Sequence, residues 1–182
     1  MVLLPACDRR SRPWKNGRGT TQEVAIHPDD AGIGDFGWRL SIADVVLEDD
    51  FSGFPGVDRH LMVLSGRLSI RIGAEPPTVR GIDDLALRFA GETPVRAGPL
   101  DGTVRDLNLM VRRGLFAGRL IRLDDIDRRT TGDATILVAP SPLDVAVNGE
   151  VKALGALDAI RLRQGSTIRA KGSVLLAEVR RR

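Results

Sequence analysis

The chain contains few of the residues from which metal sites and catalytic triads are usually built. Among its 182 residues there is one cysteine, Cys7, and there are two histidines, His27 and His60. A single cysteine excludes an intramolecular disulfide and a metal site made of paired cysteines. Two histidines without an HxH spacing give little support to a zinc or iron site or to a Ser-His-Asp triad. We therefore expect neither a metal nor another cofactor.

The sequence also lacks a concentration of charge of one sign. Its formal net charge is +3 at pH 7, and no run of five or more like charges occurs. Because nucleic-acid binding leaves basic residues clustered on one face, we expect no nucleic-acid partner. The N-terminus lacks the features of a signal peptide, and no apolar window approaches the length of a membrane span. We expect a cytoplasmic protein with no membrane partner.

Long amphipathic helical patterns are absent, and short alternating apolar runs take their place. Residues 38–43, 67–72 and 106–111 alternate between apolar and polar side chains, and Gly, Pro and Asp separate such runs. Alternation with period two is typical of β-strands. Many short strands at this spacing predict an all-β sandwich or barrel.

The strand pattern falls into two halves. We predict an N-terminal barrel carrying the site over residues 1–112, a connection over 113–133 and a smaller C-terminal barrel over 134–182. The connection is charged and poorly periodic. The second half repeats a turn, a short strand, a glycine turn and an apolar strand, which fits half of a jelly roll.

The segment 13–25, PWKNGRGTTQEVA, combines an aromatic side chain, a cation, amides and a carboxylate around two glycines. Asn16-Gly17 is a strong signal for a hairpin turn. Glycine also allows a backbone to approach a ligand closely, so the same segment could form part of a site. From this segment alone, both interpretations stay open.

Polar residues recur on single faces of two predicted strands. Arg39 and Ser41 share one face of their strand, and Asp106 and Asn108 share one face of theirs. These faces could be solvated, or they could point inward if the barrel is wide enough to hold a ligand. Arg59 leads into an apolar run, where an arginine must snorkel, pair or bind an anion.

Together these residues would suit a small carboxylate ligand. Three cations and three neutral partners would form the site: Lys15, Arg39, Arg59, Asn16, Thr20 and Asn108. Glu23 and Asp106 would pair those cations or bind an ammonium or amide group of the ligand. The competing interpretation is structural, with the arginines simply paired to Glu23 and Asp106.

Four ordered motifs resemble the HutD/Ves family, which is associated with bacterial histidine utilisation: PWKNGRGTTQEVA, FGWRLSIADV, FSGFPGVDRHLMVLSG and RDLNLMVRRG. The resemblance implies a bicupin, two small jelly-roll β-barrels of the RmlC-like cupin type, without the cupin metal histidines. It implies a non-catalytic protein that binds a small acidic metabolite, with formylglutamate as the proposed example, and modulates histidine utilisation or related metabolism.

By position, the resemblance and the residue patterns together give these candidate ligand-binding residues: Trp14, Lys15, Asn16, Glu23, Arg39, Ser41, Arg59, Asp106 and Asn108. One departure from the family pattern is Arg18, which stands where the usual WKNGGG motif has its middle glycine. An extra cation there could change the ligand preference.

Two further expectations complete the sequence analysis. The alternative function is a metal-independent cupin enzyme of isomerase or hydrolase type, with Glu23 or Asp106 as general base, because a desolvated carboxylate near cations can be tuned for that role.

A homodimer is plausible, since barrels of this type often pair through sheet edges.

Overall fold

The computed structural model describes residues 1–14 and 19–182. The predictions for Lys15, Asn16 and Arg18 therefore lie outside the described residues. Strands make up 61% of the structure, which confirms the all-β prediction. In the part of the chain that is described, no helix is long and apolar enough to cross a membrane.

The strands are numbered in chain order: β1 (Val2–Leu4), β2 (Ser11–Pro13), β3 (Gly19–His27), β4 (Trp38–Val45), β5 (Asp49–Asp50), β6 (Val57–Ser65), β7 (Leu68–Ile72), β8 (Thr78–Arg80), β9 (Leu87–Ala90), β10 (Val95–Pro99), β11 (Val104–Arg112), β12 (Phe116–Arg129), β13 (Ala134–Val138), β14 (Leu143–Val147), β15 (Glu150–Leu154), β16 (Ala159–Arg163) and β17 (Thr167–Arg181). A 3-10 turn, Ala6–Asp8, follows β1.

The chain divides into two compact units. The N-terminal barrel comprises Arg10–Leu115, and the C-terminal barrel comprises Phe116–Arg182 together with Met1–Arg9. The first residues belong to the C-terminal barrel because β1 pairs antiparallel with β16, with Leu3 opposite Ile160.

Residues 113–133, assigned to a connection from the sequence, contain the 14-residue strand β12. This strand pairs with β17 from Phe116 opposite Arg181 to Arg129 opposite Thr167. Its register shifts between Asp124 and Ile126, and Asp125 has a φ of 51°. A bulge of this kind moves the apolar side chains out of strict alternation, which explains why the sequence there looks poorly periodic.

The N-terminal barrel consists of two sheets. One has six strands in the order β2-β3-β4-β11-β6-β9, and the other has four in the order β5-β10-β7-β8. Their facing side chains form one hydrophobic core, to which the six-stranded sheet contributes Leu61, Val63 and Phe89 and the four-stranded sheet contributes Leu68 and Ile70. We call the face of the six-stranded sheet that points into this core the inner face.

The C-terminal barrel is a seven-stranded sheet in the order β1-β16-β13-β17-β14-β15, with β12 also paired to β17. Its core is formed by apolar side chains that recur at alternate positions of the strands. The buried members are Ile126, Leu137, Ala139, Val145, Val147, Leu154, Ile160, Leu162, Ile168, Ala170, Val174 and Leu176.

Candidate ligand site on the inner face of the N-terminal barrel

The register of the six-stranded sheet places the predicted polar residues on its inner face. Asn108 lies opposite Ser41 on one side and opposite Leu61 on the other. Glu23 lies opposite Ser41 across the next strand pair. Because directly paired residues project from the same face and Leu61 belongs to the core, these side chains share that face. The polar faces that sequence analysis left open therefore point inward.

The charged residues follow the same register. Arg39 and Arg59 both lie opposite Met110, one on each neighbouring strand. Asp106 lies opposite Ala43 and Val63, four residues before Met110 on the same strand. Strands β3, β4, β11 and β6 thus bring residues from distant parts of the sequence to one surface.

Arg59 is the cation at the centre of this surface. Its guanidinium carbon lies 5.1, 5.8 and 5.2 Å from the ring centres of Phe51, Phe54 and Phe89. Its Nη1 donates a hydrogen bond to the carbonyl oxygen of Ser52 at 3.4 Å. Burial lowers the pKa of Arg59 to about 10, partly offset by the nearby charge of Asp106. The side chain remains a cation at neutral pH, and the aromatic faces compensate part of its lost hydration.

Asp106 carries the most strongly perturbed carboxyl group among the described residues. Burial raises its pKa to about 7; the charge of Arg59 opposes that rise, and the charge of Asp44 adds to it. Desolvation therefore outweighs the attraction of the cation. At neutral pH the carboxyl group is divided between its neutral and its ionised form.

Three buried polar atoms on this surface lack hydrogen-bond partners among the described residues. They are Arg59 Nε, Asp106 Oδ1 and Asn108 Oδ1, and the three residues are only 6, 1 and 8% exposed. We call them the inner polar cluster. Leaving such an atom unpaired costs about 1–3 kcal/mol, and buried polar groups in native proteins are nearly always paired. A bound ligand that pairs with them would recover that free energy.

Arg39 is paired with a carboxylate instead. Its Nε donates to Glu23 Oε2 at 2.9 Å, with the two side chains 11 and 45% exposed. Its Nη1 also donates to Ser41 Oγ at 3.4 Å. The structural interpretation, in which arginine pairs with carboxylate, therefore holds for Arg39 and Glu23. It does not account for the unpaired Arg59 Nε.

Trp14 lies beside the same surface. Its indole Nε1 donates to Thr21 Oγ1 at 2.8 Å, and its ring packs against the hydrophobic core of the barrel. A Cβ on Gly19 would lie 3.0 Å from two atoms of that ring, so a glycine is needed there for the indole to pack. Two further candidates of this segment, Lys15 and Asn16, lie outside the described residues.

The sequence does not indicate that three phenylalanine rings surround the guanidinium of Arg59. Phe51 and Phe54 lie within the motif FSGFPGVDRHLMVLSG, which does not indicate a contact with Arg59, and Phe89 lies outside the four motifs. An isolated phenylalanine in a strand or loop normally indicates a hydrophobic core, and only the tertiary contact with a guanidinium distinguishes it.

His60 lies on the opposite face of the sheet, in register with Leu109. It is buried, and burial together with the charge of Arg88 lowers its pKa to about 4, so it is neutral at neutral pH. Within residues 1–14 and 19–182, no group of three or more His, Cys, Asp or Glu side chains is arranged to hold a metal ion.

Two jelly-roll barrels in one chain define the protein as a bicupin. A cupin 2 barrel protein from Leptotrichia buccalis has this fold, with a TM-score of 0.61 at 8% identity over 95% of this chain and 92% of that one. The HutD family model matches residues 6–176. The chain belongs to the HutD family, which is associated with histidine utilisation.

Individual relatives agree with this membership. A 21.2 kDa protein encoded in the hutC 3' region of Pseudomonas putida is 37% identical over 166 residues, 89% of this chain and 86% of that protein. Protein Ves of Cronobacter sakazakii is 38% identical over 101 residues, 55% of this chain and 54% of Ves. HutD from Pseudomonas fluorescens SBW25 superposes with a TM-score of 0.88 at 28% identity, covering 100% of this chain and 98% of that one.

Proposed function

We propose that the inner face of the N-terminal barrel binds a small carboxylate resembling formylglutamate, and that the protein modulates histidine utilisation or related metabolism without catalysing a step. The observation that carries this proposal is the inner polar cluster, in which one nitrogen of a buried cation and two buried oxygens lack partners among the described residues. Membership of the HutD family supports the link to histidine utilisation.

Arg59 is the proposed anchor for a carboxylate of the ligand. Its unpaired Nε is a hydrogen-bond donor that the surrounding phenylalanines help to shield from solvent. A hydrogen bond between charged groups is stronger there than at the surface, because the local dielectric constant is lower. A ligand carboxylate would also compensate the positive charge of the buried Arg59 guanidinium.

Arg39 is the proposed contact for a second acidic group. It is mostly buried yet already paired to the half-exposed Glu23, so a ligand carboxylate would share it or displace Glu23. Formylglutamate carries two carboxylates and one amide N–H. Asn108 Oδ1 is an unpaired acceptor suited to that N–H. Trp14, Lys15, Asn16 and Ser41 complete the proposed contacts.

Thermal melts and titration calorimetry with N-formyl-L-glutamate test the proposal, with glutamate and formate as further probes. A ligand at 100 times its Kd adds about 2.7 kcal/mol to the free energy of unfolding, which gives an easily measured shift in Tm. In Arg59→Gln we expect about 100-fold weaker binding, because a hydrogen bond to a charged group is lost.

Arg67→Gln is the matched control, because Arg67 is exposed and pairs with Asp101 away from the inner face. It should bind like the parent protein. The proposal fails if none of the three acids changes the melting curve, or if Arg59→Gln and Arg67→Gln bind equally well.

A second candidate function is catalysis of isomerase or hydrolase type, with Asp106 or Glu23 as general base. The specific observation in its favour is the pKa of Asp106, near neutrality, where a general base is most effective. Release of formate from N-formyl-L-glutamate, followed by NMR and lost in Asp106→Asn or Glu23→Gln, would establish hydrolysis. Unchanged N-formyl-L-glutamate after long incubation would exclude hydrolysis of that compound.

The homodimer and the cytoplasmic location stay predictions. Sedimentation velocity at several protein concentrations tests the homodimer, since a dimer sediments with twice the mass of the chain and a reversible dimer dissociates on dilution. Fractionation of cells producing the full chain tests the location.

A further inference from the structure

We infer that Asp106 determines ligand specificity as a neutral carboxylic acid, so that binding of the acidic ligand takes up one proton from the solvent. This inference rests on the proposed function. The proton adds to the Asp106 carboxylate, and the resulting O–H donates a hydrogen bond to an oxygen of the ligand. No other bond is made or broken.

Asp106 and a carboxylate of the ligand would both interact with the same cation, Arg59. Asp106 and Arg59 lie on the inner face of the adjacent strands β11 and β6, and each has a buried polar atom without a partner. The charge of Arg59 favours the ionised form of Asp106. A ligand carboxylate on Arg59 would neutralise that charge and bring a second anion into the same buried region, which disfavours two ionised carboxylates.

The other charged groups around Asp106 do not relieve this competition. The negative charge of Asp44 on β4 also acts on Asp106. Asp44 lies opposite Arg105 of β11, on the other face of the sheet, and accepts hydrogen bonds from it at 2.6 and 3.0 Å. Arg39 of β4 is held by Glu23 of β3.

In the four-stranded sheet opposite, the hydrophobic core contains Leu68, Ile70, Val95 and Ala97. Two charged residues share that face by register, Arg80 opposite Leu68 and Asp49 opposite Ala97, and Arg80 pairs with Asp84 at 3.8 Å. Arg59 is the described cation whose charge acts on Asp106, and no described carboxylate forms an ion pair with it. Lys15, from the same segment as Trp14, lies outside the described residues.

The protonation state of Asp106 in the empty barrel agrees with this assignment. Its pKa is already about 7 because of burial, so a modest further rise on ligand binding makes the acid form dominant through the neutral range. Near pH 8 the empty protein must therefore gain a proton to bind, whereas near pH 5.5 the proton is already present.

Protonation of Asp106 also restricts the chemical groups that the ligand must carry. A neutral Asp106 donates a hydrogen bond, so the ligand must place a carboxylate or carbonyl oxygen against it. Asn108 Oδ1 then accepts a hydrogen bond from the N–H of the ligand. The preferred ligand combines an acidic group for Arg59, an oxygen acceptor for Asp106 and an N–H for Asn108, so simple monocarboxylates should bind more weakly.

Titration calorimetry of N-formyl-L-glutamate in two buffers of different ionisation enthalpy measures the proton uptake directly. The carboxyl groups of this ligand do not titrate between about pH 5.5 and 8.5, so any proton taken up is bound by the protein. We expect close to one proton at about pH 8, close to none at about pH 5.5, and roughly tenfold weaker binding for each pH unit above 7. These measurements use the parent protein and do not depend on a variant.

Asp106→Asn supplies the matched test, because the amide keeps the shape of the acid and can still donate to the ligand. It should bind with a Kd that no longer changes with pH, and with no proton uptake. Asp101→Asn, at an exposed salt bridge, should keep the uptake.

Binding by the parent protein without proton uptake at about pH 8 would overturn this inference and leave the proposed function intact. So would loss of binding in a folded Asp106→Asn, since that result would show that an ionised Asp106 accepts a hydrogen bond from the ligand. If no acidic probe binds at either pH, the proposed function fails, and this inference fails with it.

Discussion

The two barrels treat a buried carboxyl group in different ways. In the C-terminal barrel, both oxygens of Glu178 are met by arginines, Oε2 by Arg119 Nε and Oε1 by Arg128 Nη2. In the N-terminal barrel, Asp106 Oδ1 and Arg59 Nε lie on one inner face without partners among the described residues. A buried carboxyl group is thus hydrogen-bonded to arginines in one barrel, whereas in the other a carboxyl oxygen and an arginine nitrogen lack partners.

The difference distinguishes a region that stabilises the fold from one that is suited to a ligand. The one buried carboxylate of the C-terminal barrel is paired, and its buried polar atoms without a partner belong to Arg9, Arg122, Thr135 and Ser173 and include no carboxyl oxygen. The N-terminal barrel instead keeps an unpaired carboxyl oxygen and an unpaired guanidinium nitrogen on the same inner face, at a cost to its stability. Departures of this kind from satisfied packing are expected at functional sites, where the loss is offset by binding.

Asp106→Asn gives the largest expected effect, a gain in stability of the empty protein of up to about 4 kcal/mol at about pH 8. The pKa of Asp106 is raised to about 7 in the folded protein, so the parent loses stability as the pH rises from about 3.8 to 7. Urea denaturation of parent and variant across this range measures the difference.

Comparison at each pH cancels the opposite contribution of His60, whose lowered pKa removes stability as the pH falls from about 6.5 to 4. Asp101→Asn is the control and should show no such pH-dependent gain. Equal stability of Asp106→Asn and the parent at about pH 8 would show that Asp106 is not destabilising.

Leu176→Ala should cost about 3 kcal/mol, because it leaves a cavity in the fully buried core of the C-terminal barrel. The binding of N-formyl-L-glutamate should be unchanged under conditions in which the variant is folded. A change in Kd comparable to that of Arg59→Gln would contradict the functional distinction between the barrels.

Glu178→Gln should destabilise the protein by about 1–2 kcal/mol, less than the loss of a fully buried ion pair. The reason is that Arg119 and Arg128 are 52 and 29% exposed and can recover hydration. Denaturation in urea measures the effect, with Glu150→Gln as a surface control, since Glu150 forms an exposed pair with Lys152. Equal effects of the two changes would refute the structural role of Glu178.

Glu23→Gln should change stability by less than about 1 kcal/mol, because its pair with Arg39 is half exposed and screened by solvent. Thermal melts at low and high salt measure this small effect, which should shrink further at high salt. A loss above about 2 kcal/mol would place Glu23 among the residues that hold the barrel together.

Period-two alternation in the sequence predicts which polar residues share a face of a strand, but not whether that face points inward or outward. Period two sufficed to place Arg39 with Ser41 and Asp106 with Asn108. It did not decide that these faces point inward, because alternation looks the same for a solvated sheet and for a polar barrel interior. It also did not identify β12, where the bulge at Asp125 interrupts the alternation.

The sequence by itself determined the strand-rich class, the scarcity of metal-binding side chains and the family, because these depend on composition, local periodicity and motif order. Only the tertiary structure decided that Arg39 is paired while Arg59 lies under three phenylalanines, and that Asp106 is buried deeply enough to hold a proton near neutrality. Pairing and desolvation depend on neighbours from distant strands, and the register of the sheet brings those neighbours together.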